Sequence, residues 1–205
     1  RIPGVEPRTS RREFLLGLLA AVVFAHWGRM MTPARAQSDS KPPTPEWHDA
    51  DDVTPRSTAG PFYTPDSPLR TWLLEPGIKE TPVALTGFVL TTDCKPVPKA
   101  LVDFWQADDA GEYDNVGYKL PGHQFTDEHG RYRLETIVPG QYPGRTRHIH
   151  VRVQAPDQRV LTTQLYFPNE PANARDGIFD PQLLMDVKDA GDAKEASFNF
   201  VLEIA

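Results

Sequence analysis

The sequence has a single cysteine, Cys94, in 205 residues. One thiol cannot form an internal disulfide, so no disulfide framework supports the fold. Cys94 sits in a turn with no histidine beside it in sequence, which argues against a catalytic thiol. Sustained helical periodicity is also missing after residue 36; at most Pro181–Val187 reads as a helical turn. Internal repeats are absent. A basic surface is missing as well. The whole chain carries 22 basic and 28 acidic side chains, and residues 1–36 hold six and two of them, so the remainder has 16 against 26, a net of −10. That acidic body excludes a nucleic-acid partner of the usual electrostatic kind.

Long apolar runs are limited to one, Phe14 to Ala25. It is shorter than the ~20 residues of a membrane span and fits the apolar region of an export signal. Arg11-Arg12-Glu13-Phe14-Leu15 precedes it, and the small-residue site Ala34-Arg35-Ala36 follows. The paired arginines resemble a twin-arginine signal. Residues 1–36 are therefore expected to be a signal peptide cleaved before Gln37, with the twin-arginine export machinery as a partner and a periplasmic or extracellular destination. An uncleaved membrane anchor and an amphipathic core helix are the alternatives. The chain opens on Arg1 rather than Met, which leaves upstream residues open.

Proline is plentiful, 21 residues, and much of it punctuates short runs. Residues 37–57 are rich in Pro, Asp, Ser and Thr and read as a linker or a strapped-down arm. Residues 58–205 then alternate in the strand manner: Val83–Leu90, Ala100–Gln106, Arg131–Ile137, His148–Gln154, Val160–Phe167 and Ser197–Ile204. The expectation is an all-β domain, a β-sandwich core of short mixed strands with long functional loops.

The chemistry concentrates in Pro139 to Val153. On a strand, Ile149, Val151 and Val153 would face the core, and His148 and His150 would share the opposite face, ~7 Å apart along the strand. That pair is either a set of metal ligands or a solvated histidine pair. Tyr142 and Arg145 lie in the Gly/Pro-rich loop leading into this strand, and Tyr113 lies in the loop after Val102–Gln106. Phenolates are hard anionic donors. Two of them with two neutral imidazoles leave a trivalent ion at +1, a set that suits Fe(III) better than Zn(II) or Cu(I).

Trp105-Gln106-Ala107-Asp108, Gly111-Glu112-Tyr113-Asp114, Gly130-Arg131-Tyr132, Pro139-Gly140-Gln141-Tyr142-Pro143, Arg145-Thr146-Arg147-His148-Ile149-His150, Thr163-Gln164-Leu165-Tyr166-Phe167 and Thr58-Ala59-Gly60-Pro61-Phe62-Tyr63 occur in an order that resembles the intradiol ring-cleavage dioxygenases, the family of catechol 1,2- and protocatechuate 3,4-dioxygenases. The resemblance runs from about residue 58 to 180. It implies non-haem Fe(3+) held by Tyr113, Tyr142, His148 and His150, a small aromatic diol and O2 as substrates, and a muconate-type diacid as product. By the same resemblance Tyr142 takes a substrate proton, Arg145 stabilises negative charge and Gln164 orients the substrate. A homo-oligomer is left open. The Tyr142–His148 loop is short compared with the soluble enzymes, and Arg147 replaces a small residue, which puts the shape of the substrate pocket in question.

Other residues carry plainer expectations. His123 and His129 read as loop histidines at the surface, Trp105 as core, and Tyr132 and Tyr166 as packing residues. Tyr63 reads as pocket wall or packing. A cupin-type oxygenase would want a glutamate soon after His-x-His, and no carboxylate of either kind occurs before Asp157. A copper/zinc sandwich would need His123 and His129 as further ligands. A non-catalytic sandwich that binds aromatic compounds would leave both tyrosines as ordinary side chains.

Overall fold

Alternation of apolar and polar residues builds two sheets. A computed structural model describes residues 53–75 and 79–204; the expected export segment, 1–36, and residues 37–52 lie outside the described residues. The strands are β1 (Pro82–Thr91), β2 (Leu101–Trp105), β3 (Gly122–Phe125), β4 (Arg131–Ile137), β5 (His148–Gln154), β6 (Leu161–Tyr166), β7 (Asp186–Ala190), β8 (Ala193–Ser197) and β9 (Phe200–Leu202). One sheet has the order β4-β1-β8-β7, with β9 also on β1, and the other has the order β3-β2-β5-β6. The domain is all-β, as the strand pattern predicts.

The apolar sets close on each other. Val83, Leu85, Val89 and Leu134 from the first sheet meet Val102, Phe104, Ile149, Val151, Val153 and Leu165 from the second, all at most 1% exposed. Burying one such side chain stabilises the fold by roughly 1.5–3 kcal/mol. Register in the second sheet sets the opposite face. Trp105 pairs with His150 and Asp103 with Arg152, while His150 pairs with Gln164 and His148 with Tyr166. Partners in a ladder share a face, so these side chains line the outside of one sheet.

Three strands escape a pattern-based reading. β3 is only four residues long, β7 is almost wholly exposed, and β8 sets two alanines among Lys194, Glu195 and Ser197. The run Ser197–Ile204 is not one strand: Ser197 ends β8, Phe200–Leu202 form β9, and both lie parallel to β1. The break falls where the Phe198 carbonyl presses on Gly87. A Cβ there would lie 1.7 Å from that oxygen. The Tyr132 hydroxyl donates to the same carbonyl at 2.8 Å, and Asn199 Oδ1 accepts from the Phe88 N–H at 3.1 Å. The helical turn expected over Pro181–Val187 shortens to a 3₁₀ turn, Pro181–Leu183, because Leu184 leaves it extended to bridge Tyr166.

Residues 53–63 form a strap that runs from β9 of the first sheet onto the edge of the second. Thr54 exchanges hydrogen bonds with Val201, Ser57 N–H donates to the Thr162 carbonyl at 2.9 Å, and the Arg56 guanidinium donates to the Val160 carbonyl at 2.8 and 2.9 Å. The chain then passes over the outward-facing histidine row, where Gly60 lies against the His150 ring.

Candidate metal centre

Strand β5 aims both histidines away from the core, and that outer face is not solvated. His148 is 2% exposed and His150 0%. Although their positions repeat along the strand, the rings turn toward one another and the two Nε2 atoms lie 3.1 Å apart. Trp105 is buried, but on this outer face rather than in the core between the sheets where it was expected, and it lies flat on His150 with centroids 4.9 Å apart and 5° between planes. The Thr146 carbonyl accepts a hydrogen bond from His148 Nδ1 at 2.7 Å. A carbonyl only accepts, so Nδ1 carries the proton and Nε2 presents its lone pair. Burial, aided by the Arg145 charge, pushes His148 down to about 4. Burial, with His148 and Arg145 nearby, pushes His150 down to about 2. Both imidazoles are neutral near pH 7.

Two loops deliver the tyrosines. Tyr113 follows a tight turn in which Asp108 Oδ1 accepts from the backbone N–H groups of Ala110 and Glu112 at 3.0 and 2.9 Å. Tyr142 opens a four-residue turn closed by the Arg145 N–H on the Tyr142 carbonyl at 3.0 Å. Pro143 and Gly144, the latter at φ 81°, supply the type II pattern. The two loops press together at Gly140, whose N–H donates to the Asp108 carbonyl at 2.6 Å. A Cβ at Gly140 would sit 2.3 Å from the Asp109 carbonyl oxygen. The Tyr113 and Tyr142 hydroxyls arrive 3.5 and 3.4 Å from His148 Nε2. Phe62 from the strap stacks on Tyr113 at 4.5 Å and 15°, and meets Tyr142 only edge-on at 6.4 Å.

The donor set fits a cation. Three polar atoms crowd one His148 lone pair, which can accept a single hydrogen bond. Donors ~2.0–2.1 Å from one ion lie roughly 3 Å or a little more from each other. His150 Nδ1 is buried without a hydrogen-bond partner. The Thr58 backbone, which raises the proton affinity of His150, already accepts from Gln164 Nε2 at 2.8 Å. Burial and the neighbouring Tyr142 push the Tyr113 phenol well up, so only a strongly charged neighbour would hold it as phenolate. Among the described residues, no group of three or more His, Cys, Asp or Glu gathers elsewhere for a metal.

Arg145 joins the same cluster. Its Nη1 lies 3.4 Å from the Tyr142 hydroxyl, Nη2 donates to Gln164 Oε1, and Nε donates to Asp176 Oδ2 at 2.9 Å. Burial opposes its charge, but Asp176, Tyr142 and Tyr166 outweigh that and raise its proton affinity. Tyr166 is fully buried, as a packing residue should be, yet its hydroxyl also lies 2.9 Å from Gln164 Oε1 and 3.0 Å from the Ile178 carbonyl. All six expected site residues, Tyr113, Tyr142, Arg145, His148, His150 and Gln164, thus meet in one cluster.

Some expectations change. His123 is not in a loop: it lies on β3, half-buried, with Nδ1 2.7 Å from the Ser67 carbonyl, because residues 68–70 pair against that edge. His129 is exposed in the β3–β4 turn, as expected. Neither reaches the cluster, so neither supplies the further ligand that a copper/zinc sandwich would ask of it. Tyr63 packs edge-on against Trp105 at 4.8 Å, with its hydroxyl 3.3 Å from Asp103 and the Arg152 guanidinium over its ring. Arg147 turns away from the cluster, donating to the Pro139 carbonyl at 2.6 Å and pairing with Glu170 at 3.1 Å. Phe62 and Asp176 had no role assigned from sequence. Phe62 sits inside a quoted motif, but Asp176 carries no local signal.

Fold and site together define a β-sandwich protein with a donor set of two buried histidines and two half-buried tyrosines on the outer face of one sheet. The chain belongs to the Dioxygenase family (Dioxygenase_C), whose family model matches residues 59–204. It is similar to hydroxyquinol 1,2-dioxygenase from Rhodococcus opacus, with 32% identity over 155 residues, covering 63% of this chain and 51% of that protein. Among solved structures it is similar to the dioxygenase domain of a dioxygenase carbohydrate-binding protein fusion from Streptomyces sp. SirexAA-E, with 53% identity, a TM-score of 0.74, and 75% of this chain and 100% of that chain covered. It is also similar to 3-chlorocatechol 1,2-dioxygenase from Rhodococcus opacus 1CP, with 28% identity, a TM-score of 0.69, and 74% and 73% of the two chains covered. The chain spans about half the length of the curated relatives it matches.

Proposed function

We propose that this chain holds Fe(III) through Tyr113, Tyr142, His148 and His150 and uses O2 to cleave a catechol-type diol between its two hydroxyl-bearing carbons, giving a muconate-type diacid. The observation that carries this reading is the convergence of the Tyr113 and Tyr142 hydroxyls and His150 Nε2 on His148 Nε2, each 3.1–3.5 Å from it, with both imidazoles buried and neutral. Two phenolates would bring a trivalent ion to +1, a match for a hard cation. When bound, ferric iron would supply Lewis acidity and a template for both diol oxygens.

The chain's own residues do the rest. Both histidines are neutral at working pH and shed no proton on binding a cation. Tyr142 is the proton acceptor: its phenolate oxygen takes one diol proton and becomes a phenol. Its edge-only contact with Phe62 and its place on the Pro143-Gly144 turn leave it freer than Tyr113, which lies under the stacked ring. Arg145, beside the Tyr142 oxygen, stabilises the negative charge left on the diol. Gln164 is held by three partners, Arg145, Tyr166 and Thr58, so its amide offers a fixed edge for orienting the ring. Residues 1–36 belong to the same proposal as a twin-arginine export signal, which N-terminal sequencing of the mature protein would test.

The deciding experiment is a visible spectrum of the Fe(III)-loaded protein before and after catechol is added without oxygen. The expected result is a broad tyrosinate charge-transfer band that moves to longer wavelength with catechol and weakens in Tyr113→Phe. A protein that binds no iron, or whose colour ignores both catechol and the substitution, overturns the assignment and leaves a non-catalytic binding domain.

A further inference from the structure

We infer that Asp176 is a positioning residue that fixes the reach of Arg145 into the site. The inference rests on the diol chemistry proposed above. Asp176 lies in the loop after β6, and its side chain is 1% exposed. Its two oxygens divide their work. Oδ1 accepts from the N–H of Ile178 at 3.0 Å, within its own loop. Oδ2 accepts from Arg145 Nε at 2.9 Å and from the Thr146 N–H at 3.0 Å, both in the segment that enters β5.

The choice of nitrogen is what matters. A guanidinium is a planar fork, so holding it at Nε fixes the direction of its outer edge. Here that edge presents Nη1 to the Tyr142 hydroxyl and Nη2 to Gln164 Oε1. The other bond to Oδ2 reaches the centre by a second route, because the carbonyl of Thr146 accepts from His148 Nδ1 at 2.7 Å. A carboxylate that merely pinned the loop would need no contact with Arg145. That task has another holder: Asn173 accepts from the Thr146 hydroxyl at 2.6 Å and donates to the Phe167 carbonyl at 2.9 Å. Among the described residues, Asp176 is the only acidic side chain that pairs with Arg145.

The test compares Asp176→Asn, Arg145→Ala, the double variant and Asn173→Ala, each loaded with Fe(III). Catechol affinity is read from the anaerobic shift of the visible band, and kcat and KM are measured separately. Asp176→Asn should keep the resting band, since all four donors remain, and lose catechol affinity or kcat by the order of 10–10²-fold, as expected for a misaimed group. In the Arg145→Ala background the same change should alter either quantity by less than about twofold, because coupled effects do not add. Asn173→Ala should stay within about twofold of wild type in catechol affinity. The inference is overturned if Asp176→Asn is within twofold of wild type in both quantities, if its loss repeats in full on top of Arg145→Ala, or if Asn173→Ala reproduces it. Should the single Asp176 variant fail to fold, the Arg145→Ala and double variants decide alone, since the double removes the unpaired buried charge. A wild-type protein without a catechol-responsive band would instead overturn the iron reading, and this inference with it.

Discussion

Replacing Gly140 with alanine adds one methyl group where the two tyrosine loops touch. The added carbon would lie 2.3 Å from the Asp109 carbonyl oxygen and 2.4 Å from the Gly111 nitrogen, both backbone atoms. Ordinary contact begins near 3.4 Å, so the loops must part by about 1 Å. That opening also stretches the 2.6 Å bond from the Gly140 N–H to the Asp108 carbonyl. Overpacking costs about 1–3 kcal/mol, and a weakened hydrogen bond adds about 1 kcal/mol. Together they amount to roughly 2–4 kcal/mol, or a melting temperature roughly 5–15 °C lower for a domain of this size. The effect on the centre should be larger than the effect on the fold. Tyr113 and Tyr142 ride on opposite sides of this contact, while His148 and His150 are fixed by β5 and should not follow. A displacement of ~1 Å can cost of the order of 10² in a positioned reaction. Iron content, the visible band and a thermal melt on one preparation would check this. A variant with wild-type iron content, colour and melting temperature would refute the idea that glycine at 140 sets the spacing of the two phenols.

Other outcomes follow from the same geometry. In the metal-free protein His148 and His150 titrate at about 4 and about 2, below the ordinary 6.5, so between pH 6.5 and about 4 the unfolded chain binds more protons than the folded one. Stability should therefore decrease as the pH is lowered through that window, by up to ~1.4 kcal/mol per pH unit per histidine; a urea midpoint that is the same at pH 7.5 and 5.5 would contradict the burial described. Arg147→Ala should leave catechol affinity within about twofold, because its guanidinium faces Pro139 and Glu170, and a tenfold loss in the anaerobic titration would show that it reaches the pocket. Leu165→Ala, at a fully buried position between the sheets, should cost about 2–5 kcal/mol in chemical denaturation, and a loss below 1 kcal/mol would mean that the site is not closely packed.

What could be read from the sequence was local. The alternation Ile149, Val151, Val153 against His148, His150 fixes both faces of β5, since a strand's period leaves no other arrangement. Tyr113 and Tyr142 were legible as loop residues next to strands, but their meeting is a tertiary fact produced by the Gly140 contact. The ~7 Å repeat along β5 did not foretell the 3.1 Å approach of the ring nitrogens, which depends on side-chain rotation under Trp105. β7 is an exposed edge strand with no apolar period to display, and β8, between β1 and β7, offers only two alanines among Lys194, Glu195 and Ser197. The break at Phe198 was missed for the opposite reason: the apolar period continues through it, and only the neighbouring Gly87 reveals why the strand parts. Asp176 was hidden by distance, 31 residues from Arg145 in a loop without a motif.

The division of β5 into two faces bears on how such a protein can change. Its odd-numbered residues, 149, 151 and 153, answer to the volume available between the sheets, and its even-numbered ones, 148 and 150, to the donors required outside them. The two demands fall on different side chains of one strand and share no atoms beyond the backbone. Substitutions in the donor row should therefore sample new metals or new substrates while the sandwich persists, and repacking of the core should leave the chemistry in place. A combinatorial library at positions 148, 150 and 164, screened first for folding and only then for metal colour, would explore chemistry on a scaffold that does not need to be reinvented for each variant.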